Sequence, residues 1–186
     1  ESSLIGPMAY YLLKSYKLKL DPFLIFQALA REKNCFFLDS SLSSRALGRY
    51  SFIGADPFYH FEIKGDEPFS LLRQMLTRYQ ITIPKCTIPF LGGAVGYFGY
   101  DLGVRLEHKV CMRAKEGIGI PDCVFNFYNT CIAIDARDRK LYIFAAGFPE
   151  KKYHLAHSLC RENFKRMHAL LAKIVSGTRL LSAADG

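Results

Sequence analysis

The chain has 186 residues and a formal net charge of +8, from 25 basic and 17 acidic side chains, and half of its residues are hydrophobic. This length fits one domain with a core large enough to fold without disulfides or metals. The composition excludes intrinsic disorder, and no apolar run approaches the roughly 18 residues of a membrane-spanning helix.

The basic residues are scattered along the chain, and the densest region is 151–173. No sequence signature of a nucleic-acid-binding domain accompanies them. The charge therefore predicts a solvated helix face, with a basic nucleic-acid-binding domain as the weaker alternative.

The six cysteines form no Cys-x-x-Cys pair, and several lie in apolar runs, as Cys35 and Cys131 do. This usage is typical of free, buried thiols. Residues 1–20 lack the features of a signal peptide. The sequence therefore predicts a protein of the reducing cytoplasm.

The first half of the chain predicts one helix followed by short strands. Asp21-Pro22 is a helix start, with a capping carboxylate and a proline in the first turn. A short strand at 35–38 and a serine-rich loop at 39–48 follow. The aromatic and β-branched segment 50–63 predicts two short strands or one bulged strand.

The second half combines helices with β-strands. Helical spacing at 67–79 precedes a glycine-rich, strand-like segment at 88–103. Two further runs, 124–134 and 141–146, predict a hairpin joined by residues 135–140. A long amphipathic helix at 151–175 is predicted to end at Gly177. This order of elements predicts an α+β fold built on antiparallel sheet.

The glycines at 92, 93, 96 and 99 match neither a dinucleotide-binding nor a P-loop pattern. Glycine among β-formers instead predicts a close approach by another backbone or a ligand. His154, His157 and His168 lie on the last helix, where solvent exposure is favoured over metal binding. No catalytic constellation and no metal site are predicted.

One polar loop between apolar strands has the residue types for binding a small zwitterion. Asp39 or Ser40 could accept from an ammonium group, and Arg49 could donate to a carboxylate, beside several aromatic residues. The alternative is that Asp39 and Ser40 make turn hydrogen bonds and Arg49 forms a surface ion pair. Residue types alone leave both interpretations open.

Three ordered blocks resemble component I of anthranilate synthase and aminodeoxychorismate (para-aminobenzoate) synthase. They cover roughly residues 20–150 and comprise 37–40 with 48–57, 89–103, and 120–122 with 147–150. The last block is closer to the aminodeoxychorismate branch. The resemblance implies a β-sandwich with flanking helices, hence largely antiparallel sandwich-like sheets within the α+β class.

The resemblance also implies that chorismate binding belongs to a different domain from the one in this chain. Residues 1–175 would form the N-terminal domain of component I, and 176–186 a tail or linker to an absent C-terminal chorismate-binding domain. Such an enzyme adds ammonia to chorismate in folate or tryptophan biosynthesis, with Mg²⁺ in the absent domain and a glutamine amidotransferase, component II, as partner. This chain alone is expected to be inactive and to contact neither membrane nor nucleic acid.

In the family, a cleft in this domain holds L-tryptophan as an inhibitor or as a structural ligand. Carried over by motif, the binding residues here are Ser40, Leu47, Gly48, Arg49 and Tyr50. A stand-alone amino-acid-sensing module without catalysis is the alternative.

Overall fold

The structure is a computed structural model that describes residues 10–40, 48–63, 68–80, 86–100, 102–103 and 120–182, with side chains through residue 176. These ranges contain the strands β1 (Tyr11–Lys17), β2 (Phe36–Leu38), β3 (Tyr50–Gly54), β4 (Tyr59–Ile63), β5 (Gly93–Phe98), β6 (Cys123–Tyr128), β7 (Thr130–Asp135) and β8 (Lys140–Ala146). They also contain the helices α1 (Pro22–Leu29), α2 (Pro68–Arg78) and α3 (Tyr153–Ser182).

The strands form two antiparallel sheets. The first sheet has the order β1-β8-β7-β3-β2, and the second has the order β4-β6-β5. Every pairing between neighbouring strands is antiparallel. The predicted α+β class with largely antiparallel sheets is confirmed.

The central strand of the first sheet is buried on both faces. Along β7, Ile132 and Ile134 face the helices α1 and α3, whereas Cys131 and Ala133 face the opposite layer. All six residues of β7 are buried. This is why the sequence here is a continuous apolar run rather than an alternating one.

The remaining layers complete a sandwich flanked by helices. The second apolar cluster joins the first sheet to Tyr128 of β6 and Val95 of β5. A third cluster lies between the second sheet and α2, where Phe127 and Leu72 are buried. The order of layers is therefore α1 and α3, first sheet, second sheet, α2.

Several local predictions are confirmed. Asp21 caps α1, its Oδ1 accepting from the Phe23 amide at 2.7 Å, and Pro22 opens the helix. Segment 50–63 forms two strands, β3 and β4, separated by a turn in which Asp56 has φ 51°. The predicted hairpin is the pair β7–β8.

The prediction of one strand over 124–134 is wrong. The chain leaves the second sheet after Tyr128 and enters the first sheet at Thr130. Asn129 stabilises this crossing, because its carbonyl accepts from the Ala146 amide at 2.8 Å and its side-chain amide donates to the Phe148 carbonyl at 2.5 Å. Both flanking strands are apolar, so hydropathy does not mark the crossing.

The ends of the first sheet and of α3 also differ from expectation. No strand is predicted at 11–17, yet β1 pairs with β8 along its whole length. The helix predicted to stop at Gly177 continues to Ser182. An interior glycine costs a helix only about 1 kcal/mol relative to alanine, which a long helix tolerates.

The glycine-rich segment contains the close backbone approach that the sequence predicts. A Cβ on Gly96 would lie 1.9 Å from the Val124 carbonyl oxygen and 2.7 Å from the Phe125 Cα. Gly96 pairs with Phe125 across β5 and β6. Only a residue without a side chain permits this spacing of the two strands.

None of the helices in the described ranges combines the length and apolar character that a membrane span requires. The described cysteines are free, and Cys123, Cys131 and Cys160 are buried while Cys86 is exposed. Burial raises the pKa of Cys160 to about 11 and raises that of Cys131 as well.

These environments predict sharply different thiol reactivities. In native buffer, an alkylating reagent should modify Cys86 rapidly and leave Cys131 and Cys160 unmodified until the protein unfolds, because the thiolate is the reactive form. Peptide mapping by mass spectrometry resolves the sites. Rapid native-state labelling of Cys131 or Cys160 would contradict the described packing.

Candidate functional site

The predicted binding residues lie at one corner of the first sheet, where β2 ends and its antiparallel partner β3 begins. Continuing the β2–β3 register places Ser40 opposite Tyr50. The Ser40 hydroxyl donates to the Tyr50 carbonyl at 2.7 Å, and the Ser40 amide donates to Ser51 Oγ at 3.2 Å. The structure therefore brings together two motif segments that are ten residues apart in sequence.

Asp39 belongs to the same network. Ser51 Oγ donates to Asp39 Oδ1 at 2.9 Å while accepting from the Ser40 amide. The Asp39 side chain is exposed, and Oδ2 has no hydrogen-bond partner among the described residues. A carboxylate oxygen facing solvent at this corner can accept a hydrogen bond from an ammonium group.

Gly48 and Arg49 lead the chain into β3. Gly48 has φ 81°, a conformation that glycine adopts without strain. The ladder between β3 and β7 reaches Arg49, whose carbonyl accepts from the Ala136 amide at 3.0 Å. Leu47, the remaining predicted binding residue, lies outside the described residues.

Arg49 forms a forked ion pair with a buried carboxylate. Its Nε donates to Asp135 Oδ1 and Oδ2 at 3.1 and 3.0 Å, and its Nη2 donates to Asp135 Oδ2 at 2.6 Å. Nη2 also contacts Asp138 Oδ2 at 3.0 Å. Asp135 is fully buried, whereas one-third of the Arg49 side chain is exposed.

The electrostatics of this pair keep both groups charged. Burial on its own would raise the pKa of Asp135, but hydrogen bonds from Arg49 and from the Asp138 and Arg137 amides outweigh it and hold that pKa below its ordinary value. The Asp135 carboxylate in turn raises the pKa of Arg49. The expected surface ion pair of Arg49 is thus partly buried, and its main partner lies 86 residues away.

Arg49 keeps donors for a further partner. The guanidinium carries five N–H groups, and no described residue accepts from Nη1. The guanidinium carbon lies 4.9 Å from the centre of the Tyr50 ring. The group is therefore fixed by Asp135 and Tyr50 with one edge available, as recognition of a carboxylate requires.

An aromatic layer adjoins the polar corner. Tyr50 stacks on Phe52 with ring centres 6.2 Å apart, and Phe52 meets Phe90 edge-on at 5.6 Å. Phe36 contacts Phe90 at 6.2 Å and Tyr128 at 4.7 Å. Burial raises the pKa of Tyr50 and raises that of Tyr128 to about 12, so both phenols are neutral at physiological pH.

The corner therefore combines the Asp39 carboxylate with the N–H donors of Arg49 and the ring of Tyr50. Ser51 and Phe52 are neighbours in β3, so the Asp39–Ser51 contact and the Phe52 layer lie on opposite faces of the first sheet. Sequence reasoning missed Asp135, because a lone acidic residue at a hairpin turn gives no signal of burial. Within the described residues, no group of three or more His, Cys, Asp or Glu side chains could hold a metal ion.

Comparisons with known proteins agree with the sequence resemblance. The chain is 29% identical over 143 aligned residues to aminodeoxychorismate synthase component 1 of Klebsiella aerogenes, covering 68% of this chain and 32% of that protein. It is 31% identical over 139 residues to anthranilate synthase component 1 of Bacillus subtilis, covering 66% of this chain and 27% of that protein. No protein-family model matches the chain.

A solved structure shares the fold. The anthranilate synthase component I of Streptococcus pneumoniae superimposes with a TM-score of 0.53 at 19% identity, covering 83% of this chain and 34% of that structure. The chain spans about a third or less of the length of the curated relatives named above. The resemblance to component 1 of these two synthases is thereby confirmed over about two-thirds of the chain.

Proposed function

We propose that this chain is the N-terminal, regulatory and structural domain of a chorismate-utilising component 1, and that its polar corner binds L-tryptophan. The observation that supports the ligand most directly is the hydrogen-bond network joining Asp39, Ser40, Tyr50 and Ser51 beside a fixed Arg49. In support of this, Asp39 and Ser40 bond to the first residues of β3, beside Arg49, whose guanidinium lies over the Tyr50 ring. L-Tryptophan presents the complementary ammonium, carboxylate and indole groups.

The chemistry of the whole enzyme belongs to sequence that this chain does not contain. The addition of ammonia to chorismate, the Mg²⁺ ion and the contact with a glutamine amidotransferase, component 2, are proposed for the full-length protein. The chain spans about a third or less of the curated relatives' length, and the catalytic steps are proposed for the remainder of such a protein. The role proposed for this domain is to shape the fold and to sense an amino acid.

Titration calorimetry of L-tryptophan into the full-length protein tests the ligand. Saturable heat is expected for the unmodified protein. Asp39→Asn should weaken binding about tenfold or more, because a charge-assisted hydrogen bond contributes about 1.5–3 kcal/mol. Ser40→Ala should weaken it about fivefold, in line with a neutral hydrogen bond of about 1 kcal/mol.

A matched control separates loss of a contact from a general effect of removing a carboxylate. Asp21→Asn makes the same chemical change at the start of α1, where asparagine caps a helix as well as aspartate does. This variant should bind L-tryptophan like the unmodified protein. Absence of heat for the unmodified protein, or equal affinities for all four proteins, would refute the proposed site.

A further inference from the structure

A groove on the outer face of the first sheet lies apart from the polar corner. It has a volume of about 550 Å³ and runs between the end of β1, the start of β8 and the last described turns of α3. Pockets that hold small organic ligands span about 300–1,000 Å³. The groove is therefore large enough for a small molecule.

The floor of the groove is apolar. Leu18, Leu141, Ile143 and Leu171 line it and are each at most 9% exposed. The residues beside them at the mouth are exposed, among them Ala172 and Ser176. A hydrocarbon or aromatic body placed against this floor would be removed from water with little rearrangement.

The titratable residues that line the groove are basic or neutral. Within the described part of the chain they are Tyr16, Lys17, Lys19 and His168, and none of the lining residues there is acidic. The nearest carboxylate along the chain, that of Asp21, is engaged as the cap of α1. A ligand at this mouth would therefore meet positive potential.

The lysine that can meet a ligand in the groove is Lys19, which is exposed and has no ion-pair partner among the described residues. Tyr16, Leu141 and Ile143 pack on the groove face of the sheet, so the side chains of Lys17 and Lys140, which alternate with them along β1 and β8, project from the other face. The attraction for an anion therefore comes from Lys19.

We propose that this groove binds an amphipathic monocarboxylate, with its apolar body on the leucine-rich floor and its carboxylate at the lysine-bearing mouth. The Tyr16 phenol, whose pKa burial raises, is a neutral donor at the same place. The Tyr16 and His168 rings lie 5.6 Å apart at this wall of the groove. The groove is separate from the polar corner, which lies at the β2–β3 end of the first sheet.

The probes are decanoate and decyltrimethylammonium, titrated below their micellar concentrations into the full-length protein. They carry the same alkyl chain and opposite charges. Decanoate should bind at least tenfold more tightly than the cation. Equal affinities would overturn the proposed selectivity for anions.

Two variants, each with a matched control, locate the binding. Ala172→Trp should abolish decanoate binding by filling the groove, while Ala169→Trp, on the same helix but outside the lining, should leave it unchanged. Lys19→Glu should weaken binding at least fivefold, and Lys152→Glu, before the distant start of α3, should not. Decanoate binding that survives Ala172→Trp, or that L-tryptophan competes away, would contradict this placement.

Discussion

Replacing Asp135 by alanine is expected to lower the free energy of unfolding by about 3 kcal/mol. The substitution leaves Arg49 without its main ion-pair partner and removes the acceptor for the Arg137 and Asp138 amides. Breaking a buried ion pair costs about 3–5 kcal/mol, and the lower end applies because Arg49 is partly exposed. Urea denaturation measures the change.

Asp138→Asn is the matched control, since Asp138 contacts the same arginine from a half-exposed position. A surface ion pair contributes about 0–1 kcal/mol, so this variant should be close to the unmodified protein. Equal losses for the two variants would contradict the assignment of Asp135 as the principal partner.

The same ion pair gives stability a defined dependence on pH. The pKa of Asp135 is lower in the folded state than its ordinary value, so the folded state binds fewer protons at this site. Its contribution is fully present above the unfolded pKa of about 3.9 and is lost as pH falls through the folded pKa. The Asp135→Ala variant should lose less stability than the unmodified protein over this acidic interval.

Replacing Gly96 by alanine is expected to destabilise the protein by about 3 kcal/mol, the upper part of the range for forcing atoms into a packed site. The new methyl group would meet the backbone of β6 rather than a movable side chain. Relief requires β5 to separate from β6, which opens the second sheet. Thermal and urea unfolding measure the loss.

Gly103 provides the comparison, because a Cβ there would meet nothing within 4 Å. Gly103→Ala should change the free energy of unfolding by less than about 0.5 kcal/mol, as surface substitutions usually do. If Gly96→Ala changes the free energy of unfolding as little as Gly103→Ala does, the close approach of β5 and β6 is wrong.

The parts of the fold that local chemistry decides were predictable from sequence. The Asp-Pro start of α1, the two separate strands β3 and β4, and the close approach at Gly96 each follow from a few adjacent residues. The departures have non-local causes. The crossing at Asn129 depends on partners in β8 and beyond, and β1 is fixed by pairing with β8, more than 120 residues later in the sequence.

The candidate site shows the same contrast between features with local causes and features with long-range causes. Residue types pointed to Asp39 or Ser40 and to Arg49 and left a purely structural role open, and the family resemblance added Leu47, Gly48 and Tyr50. Neither source identified Asp135, whose burial results from the pairing of β3 with β7. The two interpretations of the loop are also compatible in the structure. Ser40 and Arg49 make the structural contacts of the one, while Asp39 Oδ2 and Arg49 Nη1 keep the capacity required by the other.

A crystal structure of the full-length protein grown with L-tryptophan would locate the ligand directly. We expect ligand density at the β2–β3 corner, with the ammonium near Asp39 and Ser40 and the carboxylate near Arg49. Density at another place, including the groove beside α3, or an unchanged corner at saturating L-tryptophan would contradict this expectation.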